Sequence, residues 1–154
     1  MTTGALRAAC EEMGAVLGRA AHSANIKERH DASTGLFDAS GQMVMQAEHI
    51  PVHLGAMPAA VAAVREEDHA PGRSWVLNDP YRGGTHLPDI TVVTPVFAEA
   101  DGGALIGFAA SRAHHAAVGG RVPGSMPADS TTLDEEGVVI APQPLTPELV
   151  DDLT

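Results

Sequence analysis

From Ala5 to His22 the apolar residues Leu6, Cys10, Met13, Leu17 and Ala20 or Ala21 return at helical intervals, with Glu11, Glu12 and Arg19 between them. This spacing predicts a first helix over 5–22. Gly14 and Gly18 would each cost that helix about 1 kcal/mol relative to alanine, so another backbone is expected to pack close against their face. In STGLFDASGQMVMQAEHI two short apolar runs flank Asp38-Ala39-Ser40-Gly41, a turn with glycine where a positive φ is needed. Two antiparallel strands are expected there. MPAAVAAVREED, residues 57–68, carries Pro58 in its first turn and ends in acids before the Pro71-Gly72 break, which predicts a second helix. SWVLND, DITVVTPVFAE and ALIGFAASRAH then read as strands, the last two joined by a turn at Asp101–Gly103.

These elements imply an α+β fold, a mostly antiparallel sheet with a hairpin and two packed helices. At 154 residues the chain is long enough for one core. The pattern changes after residue 120. Residues 121–154 hold five of the eleven prolines, and we expect this Pro/Gly-rich segment to bury little and run extended beyond an α+β domain of residues 1–120. It ends in TPELVDDL, where Thr146 can cap a helix and Pro147 can open it.

Composition narrows the function. Aromatics are few (three Phe, one Trp, one Tyr), so the core is built from small residues. A formal net charge of −11, with one lysine, Lys27, repels phosphate backbones and argues against a nucleic-acid partner. The acids and Arg19 interrupt any signal-type apolar stretch near the N-terminus, and no segment reaches the roughly 20 apolar residues of a membrane span. No membrane partner is expected, and the cytoplasm is the expected compartment. The single cysteine, Cys10, forms no internal disulfide and lies on the apolar helix stripe, a packing position more than a nucleophile's.

Five stretches could carry chemistry. NDPYRGGTHLPD brings His86 and Asp89 to the start of one strand, and SRAHHAAVGG puts His114 and His115 at the end of the next. If those strands are neighbours, the side chains converge. Two imidazoles and a carboxylate suit zinc, manganese or iron(II) with positions left open; histidines at strand ends also serve simply as partners of loop carbonyls. SANIKERHDAS is dense in charge, and Arg29 and Asp31 either line a substrate-binding polar site or belong to a solvated face. EHIPVHLGAMP sets His49 and His53 about Pro51 just before a helix N-terminus, a place for an anionic or carbonyl oxygen or a simple turn. Asn78 and Asp79 precede an X-Pro turn as caps or as oxygens aimed into a site. His53, Asn78 and Asp79 are the catalytic candidates. VGGRVPGS, residues 118–125, is a candidate anion nest of backbone amides, and no GxxxxGK[ST] phosphate loop or GxSxG elbow occurs.

The strings SANIKERHDASTGLFDASGQMVMQAEHIPVHLGAMP, LNDPYRGGTHLPDITVVTPVF, GFAASRAHHAAVGG and PGSMPADSTTLDEEGVVIAP, in that order, resemble the hydantoinase B/oxoprolinase family from about residue 22 onward. The resemblance implies the N-terminal part of a subunit of an ATP-dependent amidohydrolase that opens cyclic amides such as hydantoins or 5-oxoproline. It also implies a hydantoinase A-like partner subunit that binds ATP with Mg, in keeping with the missing phosphate loop. Alternatives are a subunit of an acetone-carboxylase-like enzyme, or a truncated, non-catalytic piece acting as a scaffold. By the family's HxxD pair and later histidine, the resemblance assigns a divalent metal (Mn, Zn or Fe) to His86, Asp89 and His114. Position 117, usually acidic in the family, is Ala117 here, which implies a missing ligand or outer partner of a metal-bound imidazole and a metal affinity about 10- to 100-fold weaker.

Overall fold

The computed structural model describes residues 2–48, 53, 55–99 and 103–152. Its elements run α1 (Thr3–Ala20), α2 (Ala24–Lys27), β1 (Ala32–Asp38), β2 (Met43–Glu48), α3 (Met57–Val64), β3 (Trp75–Leu77), β4 (Asp89–Ala98), β5 (Ala104–His114), a 3-10 turn at Leu133–Glu135, β6 (Gln143–Pro144) and α4 (Pro147–Asp152). The strands form one antiparallel sheet in the order β2-β1-β5-β4-β3-β6. The α+β expectation holds, and both long helices and the hairpin fall where the periodicity placed them. Gly41 takes φ +81 in the hairpin turn, where Asp38 accepts bonds from the Ser40 and Gln42 amides. Gly103, also left-handed, lies in the β4–β5 turn, whose Asp101 and Gly102 fall outside the described residues.

Alternation along the strands divides the sheet into two unlike faces. On one, Phe37, Val93, Phe108, Ala110, Trp75 and Leu77 meet Met57, Ala60, Val61 and Val64 of α3 to form the main core. Against the other lies α1, where Cys10 is fully buried and its carbonyl accepts a 2.8 Å bond from Thr34 Oγ1 of β1. Burial pushes the Cys10 thiol pKa up, which leaves an inert packing thiol. Gly14 is buried on this helix, as close packing requires, but Gly18 has no atom within 4 Å of where a Cβ would stand, so close packing does not account for it.

The C-terminal segment buries more than its composition suggested. Ile140 is 1% exposed, β6 pairs with β3, and Leu149 N donates to the Thr146 cap hydroxyl at the start of α4. Its anchor is Asn78, fully buried, whose Nδ2 donates to the carbonyls of Leu87 and Val138 (both 2.9 Å) and whose Oδ1 accepts from Ile140 N at 2.6 Å. One polar side chain thus compensates for the low hydrophobicity of the segment by satisfying its backbone. Among the described residues no helix is long and apolar enough to cross a membrane.

A candidate metal centre at the polar end of the sheet

The face that carries the core turns polar at its far end. In register, Asp89 of β4 lies opposite His114 of β5, Thr91 opposite Arg112, and Arg112 opposite Ser33 of β1. A two-residue period therefore continues the inward face of Phe108 and Ala110 onto Arg112 and His114, and that of Val93 onto Thr91 and Asp89. His86 arrives from the HLPD turn, closed by a bond from Asp89 N to His86 O.

Asp89 is 2% exposed and is the hub. His114 Nδ1 lies 2.8 Å from its Oδ1, Thr85 Oγ1 donates to its Oδ2 at 2.5 Å, and His86 Nδ1 lies 3.0 Å from Oδ2. Burial works against the carboxylate, yet the proximity of the His114, His53 and His86 rings and the bond from Thr85 outweigh it and hold the pKa well below the ordinary range. The close approach of the Asp89 carboxylate raises the pKa of His86 despite partial desolvation. Ligand atoms of His86, Asp89 and His114 all lie within 4.8 Å of one another, and the two imidazole rings meet edge-on at 5.1 Å.

Around this trio opens a cleft of about 350 Å³, lined also by Asn25, Arg29, Asp31 and His53 and closed on one side by Ala116, Gly124 and Met126. A left-handed turn at His30 separates α2 from β1, and Asp31 is fixed beside the trio by the bond from His114 N to its carbonyl. His53, 1% exposed, points its Nε2 between Asp31 Oδ1 (3.8 Å) and Asp89 Oδ1 (3.9 Å) while Nδ1 contacts Ser33 Oγ at 3.1 Å. Beneath the trio, Arg112 is fully buried; its Nε donates to Thr91 Oγ1 at 2.7 Å and one terminal nitrogen donates to Gly83 O at 3.0 Å, which ties the sheet to the loop bearing His86.

Six of the eight site candidates singled out from the sequence thus share one cleft: Arg29, Asp31, His53, His86, Asp89 and His114. Asn78 and Asp79 are not among its lining residues. Asn78 spends its amide on backbone groups, and Asp79 Oδ1 accepts from Tyr81 N in the following turn. His49 and Pro51 lie outside the described residues. The amides of VGGRVPGS do converge, but on the chain's own Ser125 hydroxyl, reached by Val118 N at 2.8 Å and Gly120 N at 3.2 Å, so the nest is filled from within. Ala117 lies elsewhere: with His115, Ile90 and Val92 it lines a groove on the opposite face of the sheet. Burial, then the charge of His114, lowers the His115 pKa there.

The family's sequence pattern matches residues 1–152, nearly the whole chain. The chain belongs to the hydantoinase B/oxoprolinase family. It is 51% identical over 133 residues to 5-oxoprolinase 1 of Arabidopsis thaliana, covering 84% of this chain and 10% of that protein. Among solved structures, the ATP-dependent caprolactamase of Pseudomonas jessenii is similar with a TM-score of 0.72 at 30% identity, over 81% of this chain and 23% of that one. A nucleotide-free acetone carboxylase shares the fold with a TM-score of 0.82 at 24% identity, over 96% of this chain and 21% of that one. The chain therefore spans about a tenth of the length of the 5-oxoprolinase it matches.

As a metal centre, the trio offers two imidazoles and one carboxylate, a sound set for a borderline divalent ion. Buried atoms support the fit: His86 Nδ1 and His53 Nε2 have no hydrogen-bond partner among the described residues, because the short approach of His86 to Asp89 lies off the hydrogen-bonding direction. A buried nitrogen beside a carboxylate that makes no hydrogen bond within the chain is a position that a bound ion can satisfy.

Proposed function

We propose that this chain forms the metal-holding part of a hydantoinase B-type subunit in a cytoplasmic, ATP-dependent amidohydrolase that opens a cyclic amide: a hydantoin, 5-oxoproline or a related lactam. ATP with Mg belongs to a hydantoinase A-like partner subunit. The observation that carries this reading is the convergence of His86, Asp89 and His114 in an open cleft that also contains Arg29 and Asp31. The names of the matched relatives, a 5-oxoprolinase and an ATP-dependent caprolactamase, favour the same substrate class.

In this reading His86, Asp89 and His114 hold manganese, zinc or iron(II), which when bound polarises a carbonyl or acidifies a water. Arg29, exposed at the rim, supplies the cleft's guanidinium and attracts an anionic substituent or an activated, negatively charged carbonyl oxygen. Asp31, a quarter exposed, accepts hydrogen bonds from the polar edge of the substrate. His53 faces the same space and stands with them as a catalytic candidate.

The test is co-purification of this chain with an A-type subunit, followed by metal analysis and ATP-coupled lactam opening. We expect about one Mn, Zn or Fe per chain and loss of turnover in His86→Ala; full turnover by metal-free protein would refute the reading. A scaffold without turnover of its own is the second reading. Turnover in the absence of any longer B-type chain would exclude it.

A further inference from the structure

The sheet ends in two unlike edges. At one, β6 is two residues long and carries Pro144, the usual guard of an exposed edge, while at the other β2 has neither proline nor lysine between Met43 and Glu48. A bulge at Val44 bends the hairpin end of β2, and Met45–Glu48 pair regularly with β1. On its outer side β2 meets no strand among the described residues, so alternate amides and carbonyls of this stretch face outward unpaired.

Two features beside this edge have no explanation within one chain. Gly4 and Gly18 of α1 have no atom within 4 Å of where a Cβ would stand, although glycine inside a helix costs about 1 kcal/mol relative to alanine. With Arg7 and Glu11 they share one flank of α1, opposite the flank of Ala9, Met13 and Val16 that lines a groove with Ser111 of β5. The Cys10 thiol reaches the backbone of Leu36 in β1 and of Ala47 in β2, which seats α1 over the seam between those strands. The glycine flank therefore overhangs the free edge. On the core side of β2, Gln46 stands opposite Gly35, and its Nε2 is buried with no hydrogen-bond partner among the described residues.

We propose that a second copy of this chain pairs with this edge, β2 against β2 in antiparallel fashion across a two-fold axis normal to the sheet, so that two sheets become one and the two α1 helices pack together. Such an axis keeps the core side of one copy level with the core side of the other, so only residues on the same side of the sheet can stand opposite each other. Centring the pair on Gln46 meets this condition. Each Gln46 then faces its counterpart, and each amide nitrogen donates to the other's carbonyl oxygen. The two Glu48 carboxylates fall at opposite ends, about 14 Å apart along the strands, beyond the Debye length of about 10 Å at 0.1 M salt. Strand spacing sets the helices. With strands about 4.8 Å apart and α1 midway between β1 and β2, the two α1 axes come about 10 Å apart, the distance at which helices pack. Gly4 and Gly18 let the backbones approach, and the antiparallel helices turn Arg7 of each copy toward Glu11 of the other. A foreign strand would satisfy the edge and leave that flank of α1 bare; a second copy covers both. The inference does not rest on the reading of the metal centre.

Equilibrium ultracentrifugation of the 154-residue chain reads the association directly. A reversible dimer with a Kd below about 100 μM is expected, and it should tighten as salt rises, because screening relieves the repulsion between two chains of net charge −11. Gly18→Glu meets open space in a single copy and its counterpart's helix in the pair, so it should weaken the dimer about 10-fold or more while circular dichroism shows the chain still folded. Val16→Gln, on the other flank of α1, should leave the dimer unchanged. Gln46→Cys should cross-link two copies under mild oxidation, the native Cys10 being buried. A chain that stays monomeric at about 100 μM, a dimer indifferent to Gly18→Glu, or a dimer in which Gln46→Cys does not cross-link would each overturn the inference.

Discussion

Replacing Asn78 by alanine separates a structural role from a catalytic one. Asn78 side-chain bonds hold Leu87 O in the loop before β4, and Val138 O and Ile140 N in the C-terminal segment. Two of these bonds are fully buried, at Leu87 and Ile140, and their loss leaves a carbonyl and an amide without water or protein partners. Each such orphan costs about 1–3 kcal/mol, so Asn78→Ala should lose about 2–6 kcal/mol before any cost of the void. Against a typical domain stability of about 5–15 kcal/mol this is a large fraction. Asn78→Asp does no better, because an acceptor then faces the carbonyls of Leu87 and Val138.

Urea unfolding followed through Trp75, the chain's one tryptophan and 8% exposed, reads the loss as a drop in midpoint at unchanged slope. Amide exchange should accelerate first around Leu87 and Ile140, the segments that Asn78 joins. A variant within about 0.5 kcal/mol of the parent would refute this account, since surface-like changes fall in that range. If that stable variant also lost turnover in the assembled enzyme, Asn78 would return to the list of catalytic groups.

Other perturbations test the site's construction. Ala117→Asp should leave zinc affinity, measured by calorimetry, within about threefold, because Ala117 faces the groove on the opposite side of the sheet; a gain of about 10-fold or more would show that an acid there reaches the centre. Arg112→Met leaves the buried Thr91 hydroxyl and the Gly83 carbonyl without their donor, so the urea midpoint should fall by the equivalent of about 1–3 kcal/mol, while zinc affinity falls about 10-fold as the Gly83 loop loosens. Gly84→Ala should unfold the loop or the domain, since its Cβ would meet the Asn78 carbonyl; an unchanged urea midpoint would contradict that packing. For pH, the Asp89 pKa is depressed in the folded chain, so its contribution is present above the unfolded value of about 3.9 and is lost as pH falls below it; urea titrations should show a shallower acid limb in Asp89→Asn.

The legible parts of the fold were those with a local period. The α1 stripe, the hairpin at Gly41 and the long strands β4 and β5 were readable because each declares itself within a dozen residues, and the β4–β5 turn then sets Asp89 opposite His114. What escaped was long-range. No local pattern says that β1 pairs with β5 as well as with β2, yet that pairing sets Ser33 beside Arg112 and carries Asp31 to His114. The C-terminal segment misled for a related reason: composition counts what a segment can bury by itself, and the anchor that buries Ile140 lies 62 residues away at Asn78.

One signal for the remaining site residues was present and needed only the right frame. Along β5 the inward positions run Phe108, Ala110, Arg112, His114, and along β4 they run Val93, Thr91, Asp89. A polar residue in an outward position is ordinary; in continuation of an inward apolar series it has to be satisfied by something inside. The sheet meets this by dividing a single face. Its apolar end, under α3, supplies the burial that orders the strands, and that order fixes Ser33, Asp89, Arg112 and His114 at the other end on rigid backbone. His86 and His53 come from outside the sheet, and each is tied back to it, His86 through Gly83 and Arg112, His53 through Ser33. A centre assembled in this way holds its geometry before any ion or substrate arrives, because the packing that stabilises the fold is also what positions the donors.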